Sequence, residues 1–197
     1  QQIAASEVLT RAAKFYAARM WAVDEKTGKR INAAAADYGL GRGFKAEHIK
    51  AALWGYSKAD DALLKVITRD APEMLPIARE IGLIRADGLD FCANANGAEA
   101  SPEGWIIYPH VKGGKVTYLS ARALNKATKD KSRNIPGQRQ IYRADVDLTL
   151  TPAALTTALS QGEREVIRLR DDGLVLVEGP ADAESVRAWR WPAWAMC

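Results

Sequence analysis

Two carboxylates stand where a chain could hold a cation. Glu178 directly follows the apolar run Leu174-Val175-Leu176-Val177, and Asp182 comes four residues later. Such a run is typical of a strand buried on both faces. A carboxylate just past the end of a strand can bind a hard cation such as Mg²⁺ through oxygen, or serve as a general base. Gly179 between them permits a sharp turn and the close approach of a ligand. The same acids also suit an ordinary helix N-terminus, with Asp182 and Glu184 in its first turn and Glu178 exposed at the strand end. Upstream, Arg122, Lys131, Arg133, Asn134 and Arg139 fall in one basic segment. Arginine grips phosphate with two parallel hydrogen bonds and lysine acts as a point charge. Asn134 offers an amide to a sugar or a base edge. The glycine-rich stretch Gly39-Leu40-Gly41-Arg42-Gly43-Phe44 lacks the lysine and the spacing of a phosphate loop and reads as a helix break. Trp189, Trp191 and Trp194 could stack on bases or fill a core, and His48 and His110 read as structural.

Charge supports a division of labour. From Val111 to Arg143 there are nine Lys/Arg against the single acid Asp130, a net +8. From Ala144 to Ser185 nine acids face three arginines, a net −6. A basic block followed by an acidic one fits polyanions and metal ions as ligands; a solvated basic loop and ordinary surface acids would give the same counts. With 197 residues, 48% hydrophobic and 26% charged, the composition is that of a globular chain with a sizeable core, not of a disordered one. No apolar run approaches the ~18–20 residues that span a bilayer, and the N-terminus lacks the pattern of a signal peptide. Cys92, Cys197, His48 and His110 lie too far apart for a structural zinc site or a cysteine–histidine nucleophile. The thiols fit a reducing cytoplasm.

The elements that must carry these groups change character along the chain. Apolar residues recur at three- and four-residue steps over 3–23, predicting an amphipathic helix, and Asp24–Gly28 reads as a turn. Asn32 is placed to cap a helix over 33–38. Further helices are expected over 45–53, over 58–68 with Ser57 as cap, and from Pro72 to Gly82. Beyond Gly82 strands dominate. Residues 94–102 read as a loop and Trp105–Pro109 as a strand stopped by proline. Gly113-Gly114 is a hairpin turn leading into a strand over 116–120. Residues 125–139 read as an exposed loop. Short helices are expected over 151–159 and 162–170. Leu174–Val177, a helix over 181–190 and a strand from Ala193 would open a βαβ unit, in which ligands bind at the carboxyl ends of the strands.

Read in this order, the segments resemble the catalytic core of bacterial- and phage-type DNA primases. Ala36–Phe44 and then Leu53-Trp54-Gly55-Tyr56 are similar to the family's "Tyr-Leu-x-x-Arg-Gly-Leu … Gly-Tyr" opening, and Glu80–Ile84 to its "Ala-Gly-Leu" step. Trp105–Leu124, with Arg122, resembles its hairpin ending in "Gly-Arg". Lys131-Ser132-Arg133-Asn134 resembles "Lys-Tyr-Leu-Asn", and Arg139-Gln140-Ile141-Tyr142 resembles "Arg-Gln-Leu-Tyr". Val177–Ala183 resembles the toprim motif "Glu-Gly-x-x-Asp-Ala". Ser132, Gly137 and Ala121 stand where the family usually has an aromatic residue, a lysine and a glycine.

The resemblance implies an α+β fold: a helical N-terminal part, an antiparallel hairpin and basic loop, then the start of an α/β toprim domain. The basal DNA-binding subdomain would occupy 1–165, and 166–197 would begin a toprim domain truncated at Cys197. It implies synthesis of short RNA primers on a single-stranded DNA template from nucleoside triphosphates. Glu178 would lie at the metal–nucleotide centre with Asp182 near it, and Mg²⁺ or Mn²⁺ would be the cofactor. Arg122, Lys131 and Asn134, with Arg133 and Arg139, would bind template or triphosphate, and Arg42 would line the groove. A replicative helicase is a further implied partner. The rest of the metal site is expected past Cys197, so these residues are expected to bind DNA weakly and to be inactive alone. The alternatives are an inactive primase-derived module that holds single-stranded DNA or a helicase, and another toprim enzyme of topoisomerase or nuclease type.

Overall fold

The computed structural model describes residues 3–93, 103–125, 128 and 131–137, together with the backbone of 166–167, 174–177 and 193–195. The chain divides into two units, one of residues 1–109 and 115–138 and one of residues 110–114 and 139–197. The first carries helices α1 (Ala5–Trp21), α2 (Ala33–Leu40), α3 (Ala46–Ala51), α4 (Ala62–Asp70) and α5 (Leu75–Glu80), with a 3₁₀ turn at Pro72–Met74 leading into α5. A four-stranded sheet has the order β1 (Gly55–Ser57), β2 (Trp105–Lys112), β3 (Lys115–Ala123), β4 (Ser132–Asn134). Helices followed by an antiparallel sheet give the α+β class expected from the sequence.

Helix α1 is the long periodic segment of the sequence. Its Val8, Leu9, Ala12, Ala13, Tyr16 and Met20 are all buried, one stripe of a 3.6-residue period. It lies very close to β1. A Cβ at Gly55 would sit 2.5 Å from Tyr16 Cβ and 2.7 Å from Tyr16 C, so only glycine fits there. The Tyr16 hydroxyl donates to Asp90 Oδ2 at 3.2 Å. The Ser57 hydroxyl donates to the same oxygen through a very short bond, and the Cys92 amide donates to Asp90 Oδ1 at 3.0 Å. A single buried carboxylate thus joins α1, β1 and the segment around Cys92. Beside it, Arg19 of α1 holds Asp60 bidentately, both contacts at 2.8 Å, and the Asp60 carbonyl accepts the Asp90 amide.

The turn between β2 and β3 is the one the sequence marks. Gly113 and Gly114 take φ of 56° and 73°, the positive pair that a type I′ hairpin turn requires.

Several elements differ from expectation, each for a local reason. Asn32 precedes α2 but does not cap it; its amide donates to the Arg19 carbonyl at 2.6 Å and ties α2 to the end of α1. Ser57 is not a helix cap. Its hydroxyl is engaged by Asp90 and the Ala59 amide, Ala59 has φ 58°, and α4 starts only at Ala62. Strand β2 runs through Pro109 to Lys112. Strand β1 pairs only with Trp105–Ile107, so Pro109 lies past the end of that ladder, where a proline is tolerated. The expected loop over 125–139 contains β4, a short edge strand whose Ser-Arg-Asn sequence has no apolar alternation to announce it.

In the second unit, β5 (Val166–Ile167) pairs antiparallel with β6 (Leu174–Val177), and β6 pairs parallel with β7 (Ala193–Ala195). The helix expected over 162–170 is therefore interrupted by a strand at its β-branched pair Val166-Ile167. Parallel pairing of β6 with β7 is the register a βαβ unit demands. The loop at 94–102, the helices at 151–159 and 181–190 and residue 165 of the expected domain boundary lie outside the described residues.

Burial raises the Asp90 carboxyl from 3.8 to about 6, against the pull of its three hydrogen bonds. A carboxyl whose folded pKa is raised stabilises the fold fully below about pH 4, and that contribution is lost as the pH rises through 6. Wild type is expected to lose about 2 kcal/mol relative to Asp90→Asn between pH 4 and 7. Urea unfolding of both proteins across that range checks this; parallel curves would refute it.

Candidate nucleic-acid interface

The basic residues expected to work together sit on two adjacent strands. In the β3–β4 ladder Ser120 faces Asn134, Ala121 faces Arg133 and Arg122 faces Ser132. The Ala123 amide donates to the Lys131 carbonyl at 2.9 Å, which carries the pairing to Lys131. Side chains alternate along a strand, so the ladder sorts this run by parity. Arg122, Ser132 and Asn134 share one side of the sheet, and Arg133 takes the other.

The environments differ accordingly. Arg122 and Lys131 are exposed, and neither forms an ion pair among the described residues. Their charge is thus available to a ligand. The Arg133 guanidinium instead lies over the ring of fully buried Trp105, 5.8 Å from its centroid. Trp105 is the direct partner of Ser57 in the β1–β2 ladder, so Arg133 belongs to the side of the Asp90 cluster. Near it, Cys92 is buried and its thiol is pushed well up by that burial, which makes it a poor nucleophile.

Arg42 lies in the turn after α2. It is exposed, and its guanidinium stacks on Tyr38 at 4.6 Å. The backbone there is tightly wound: Gly41 donates to the Asp37 carbonyl, Gly43 to Leu40, and both Arg42 and Phe44 to Gly39. His110 is fully buried on β2. His48 is half-buried on α3, with Nε2 3.9 Å from Glu47. Glu178, Asp182 and Arg139 lie outside the described residues, as do Trp189 and Trp191. Glu178 is the residue after the last one of β6. No group of three or more His, Cys, Asp or Glu that could hold a metal ion occurs among the described residues. None of their helices is long and apolar enough to cross a membrane.

No protein-family model and no curated protein matches this sequence. Solved structures do. The RNA polymerase domain of Mycobacterium tuberculosis primase DnaG superposes with a TM-score of 0.66 at 19% identity, over 98% of this chain and 56% of that one. The Escherichia coli primase catalytic core gives 0.62 at 18%, over 98% and 55%. A DnaG primase catalytic domain bound to single-stranded DNA gives 0.60 at 17%, over 98% and 55%.

The chain has the fold of the primase catalytic core. It spans a little over half the length of the primase chains that it matches. Within this primase fold, the departures from the family's motifs acquire places. Ser132, where an aromatic residue is usual, is exposed and faces Arg122. Ala121, where glycine is usual, is buried and faces Arg133. Arg122 and Asn134 share a side, whereas Lys131, paired with Ala123, alternates onto the side of Arg133; sequence reasoning named all four together and did not separate the two sides. Strand parity would have done so, had β4 been legible. It also missed Tyr38 and Trp105 as partners of arginines. Tyr38 had a signal, four residues before Arg42 on a helical stretch; Trp105 had none, since it is distant from Arg133 in sequence.

The two arginines should separate by stability. Arg133→Met removes a cation from a buried indole and is expected to destabilise the fold by about 1 kcal/mol. Arg122→Ala on the exposed side should stay within about 0.5 kcal/mol. Thermal unfolding of both variants decides, and equal shifts would contradict the assignment of sides.

Proposed function

We propose that this chain is the template-binding part of a DNA primase that makes short RNA primers on single-stranded DNA. One observation carries the reading: Arg122 on β3 and Asn134 on β4 share a side of the sheet, with exposed Lys131 just before β4 and paired with Ala123, in a fold that follows primase cores over 98% of the chain. One such core, at 17% identity, is bound to single-stranded DNA.

In this reading Arg122 and Lys131 hold phosphates of the template or of the incoming triphosphate, and Asn134 meets a sugar or base edge. Arg42 and Arg139 are further cations for the same ligand, and Arg133 adds charge from the other side of the sheet. Strand β6 pairs parallel with β7, and the carboxyl end of such a strand is where α/β sheets bind ligands. Glu178 comes directly after that end, with Asp182 four residues on. Glu178 and Asp182 would hold such a cation, since carboxylates are hard oxygen donors of the kind Mg²⁺ or Mn²⁺ takes. When bound, such a cation supplies neutralisation of charge on the reacting phosphate. The 3′-oxygen of the primer forms the new bond to the α-phosphorus of the incoming nucleotide, and pyrophosphate leaves. Glu178 supports transfer of the hydroxyl proton. A replicative helicase and a cytoplasmic site of action belong to the same proposal.

Charge reversal tests the groove. Arg122→Glu and Lys131→Glu should each weaken binding of a single-stranded oligonucleotide. Each should also flatten the salt dependence by roughly 0.7 units of log–log slope per lost phosphate contact. Unchanged binding in both would reject the assignment. In the full-length protein, Glu178→Gln should abolish primer synthesis while leaving single-strand affinity intact.

A further inference from the structure

We propose that Tyr38 is a positioning residue that fixes Arg42 as a contact for the backbone of single-stranded nucleic acid. The proposal rests on the reading that Arg42 lines the nucleic-acid groove.

A free arginine loses rotamer freedom when it grips a phosphate, which weakens the contact. Arg42 is already ordered by its neighbours. Its guanidinium lies 4.6 Å from the centroid of the Tyr38 ring, within cation–π range. Tyr38 is in turn held from the sheet: the hydroxyl of Tyr108, on β2, donates to the Tyr38 hydroxyl at 3.4 Å. Tyr108 meets Trp54 edge-on, with centroids 4.9 Å apart at 88°. Trp54 meets Phe44 at 5.2 Å and 70°. Phe44 is two residues past Arg42. The run of rings therefore leaves the 38–44 segment at Tyr38 and returns to it at Phe44, so both flanks of Arg42 are tied to β2. Phe44, Trp54 and Tyr108 are buried, whereas Tyr38 is half-buried and Arg42 exposed.

The charge of Arg42 is kept available as well. The two acids nearest in sequence, Asp37 and Glu47, lie 3.8 Å from Arg30 and 4.0 Å from Lys45 instead, and Arg42 has no ion pair among the described residues. A stacked arginine with an uncompensated charge presents its donors outward in a fixed plane, which suits a phosphate.

The experiment is a mutant cycle read by fluorescence anisotropy of a labelled oligothymidylate at several salt concentrations. Arg42→Ala should weaken binding and lower the salt slope by roughly 0.7. Tyr38→Leu should weaken binding roughly two- to five-fold and add nothing on top of Arg42→Ala. Tyr38→Phe keeps the ring under the guanidinium but drops the tie to Tyr108, and should lose less affinity than Tyr38→Leu; a loss as large as that of Tyr38→Leu would overturn the role of the ring. Thermal unfolding reports whether each variant folds. Should Tyr38→Leu fail to fold, Arg42→Lys serves at an exposed position. It should keep the slope but lose a similar factor in affinity, because an ammonium cannot stack as a plane; wild-type affinity there would overturn the proposal. An effect of Tyr38→Leu that is equal with and without Arg42, or no effect at all, would also overturn it. If Arg42→Ala binds normally while Arg122→Glu does not, Arg42 lies off the track and the proposal fails alone. If neither changes binding, the groove reading fails with it.

Discussion

The fold turns on how closely α1 can approach the sheet. Tyr16 makes that approach twice. Its Cβ takes the space that any side chain at position 55 would need, and its hydroxyl reaches past the strand to Asp90. The same carboxylate takes Ser57 from β1 and an amide from the Cys92 turn. Close packing and a buried polar bond thus act on one point. A buried polar group that is satisfied from three elements specifies how those elements meet, because each alternative arrangement strands a donor or a charge. Once β1 is set against α1, its ladder to β2 follows, then the glycine turn to β3, and then β4. The positions of Arg122 and Asn134 are the far end of that sequence of constraints.

Much of this was legible in the residues. The period of α1, the glycine pair of the hairpin and the apolar run of β6 are local signals, and local signals survive in any context. What failed depended on distant partners. Ser57 has the chemistry of a helix cap, and nothing near it in sequence says that Asp90 will take its hydroxyl. Asn32 likewise carries a cap's side chain to another helix. Strand β4 is three polar residues at an edge, held by the ladder to β3 and not by any burial pattern of its own. Val166-Ile167 is a strand because β6 pairs with it, against a helical reading of its surroundings.

The same distinction runs through the candidate site. The grouping of Arg122 with Lys131 and Asn134 could be seen from the cluster of charges and from the resemblance to primases; the ladder brings Arg122 and Asn134 to one side and Lys131 to the other. The mode in which each arginine is held could not. Arg42 and Arg133 both rest on aromatic rings, yet one ring is half-buried and keeps its cation at the surface, while the other is fully buried and draws its cation inward. Identical residue types therefore receive different duties from the depth of the ring beneath them. Depth is a tertiary property.

The alternation along β4 also bears on how this segment can drift. A substitution at Ser132 leaves its neighbours on their own sides, so the residue facing Arg122 is free to change character. Deletion of Ser132 is another matter. It would turn Asn134 toward the tryptophan and Arg133 toward open solvent, exchanging both at a stroke. Related chains should therefore vary in composition at this edge long before they vary in length.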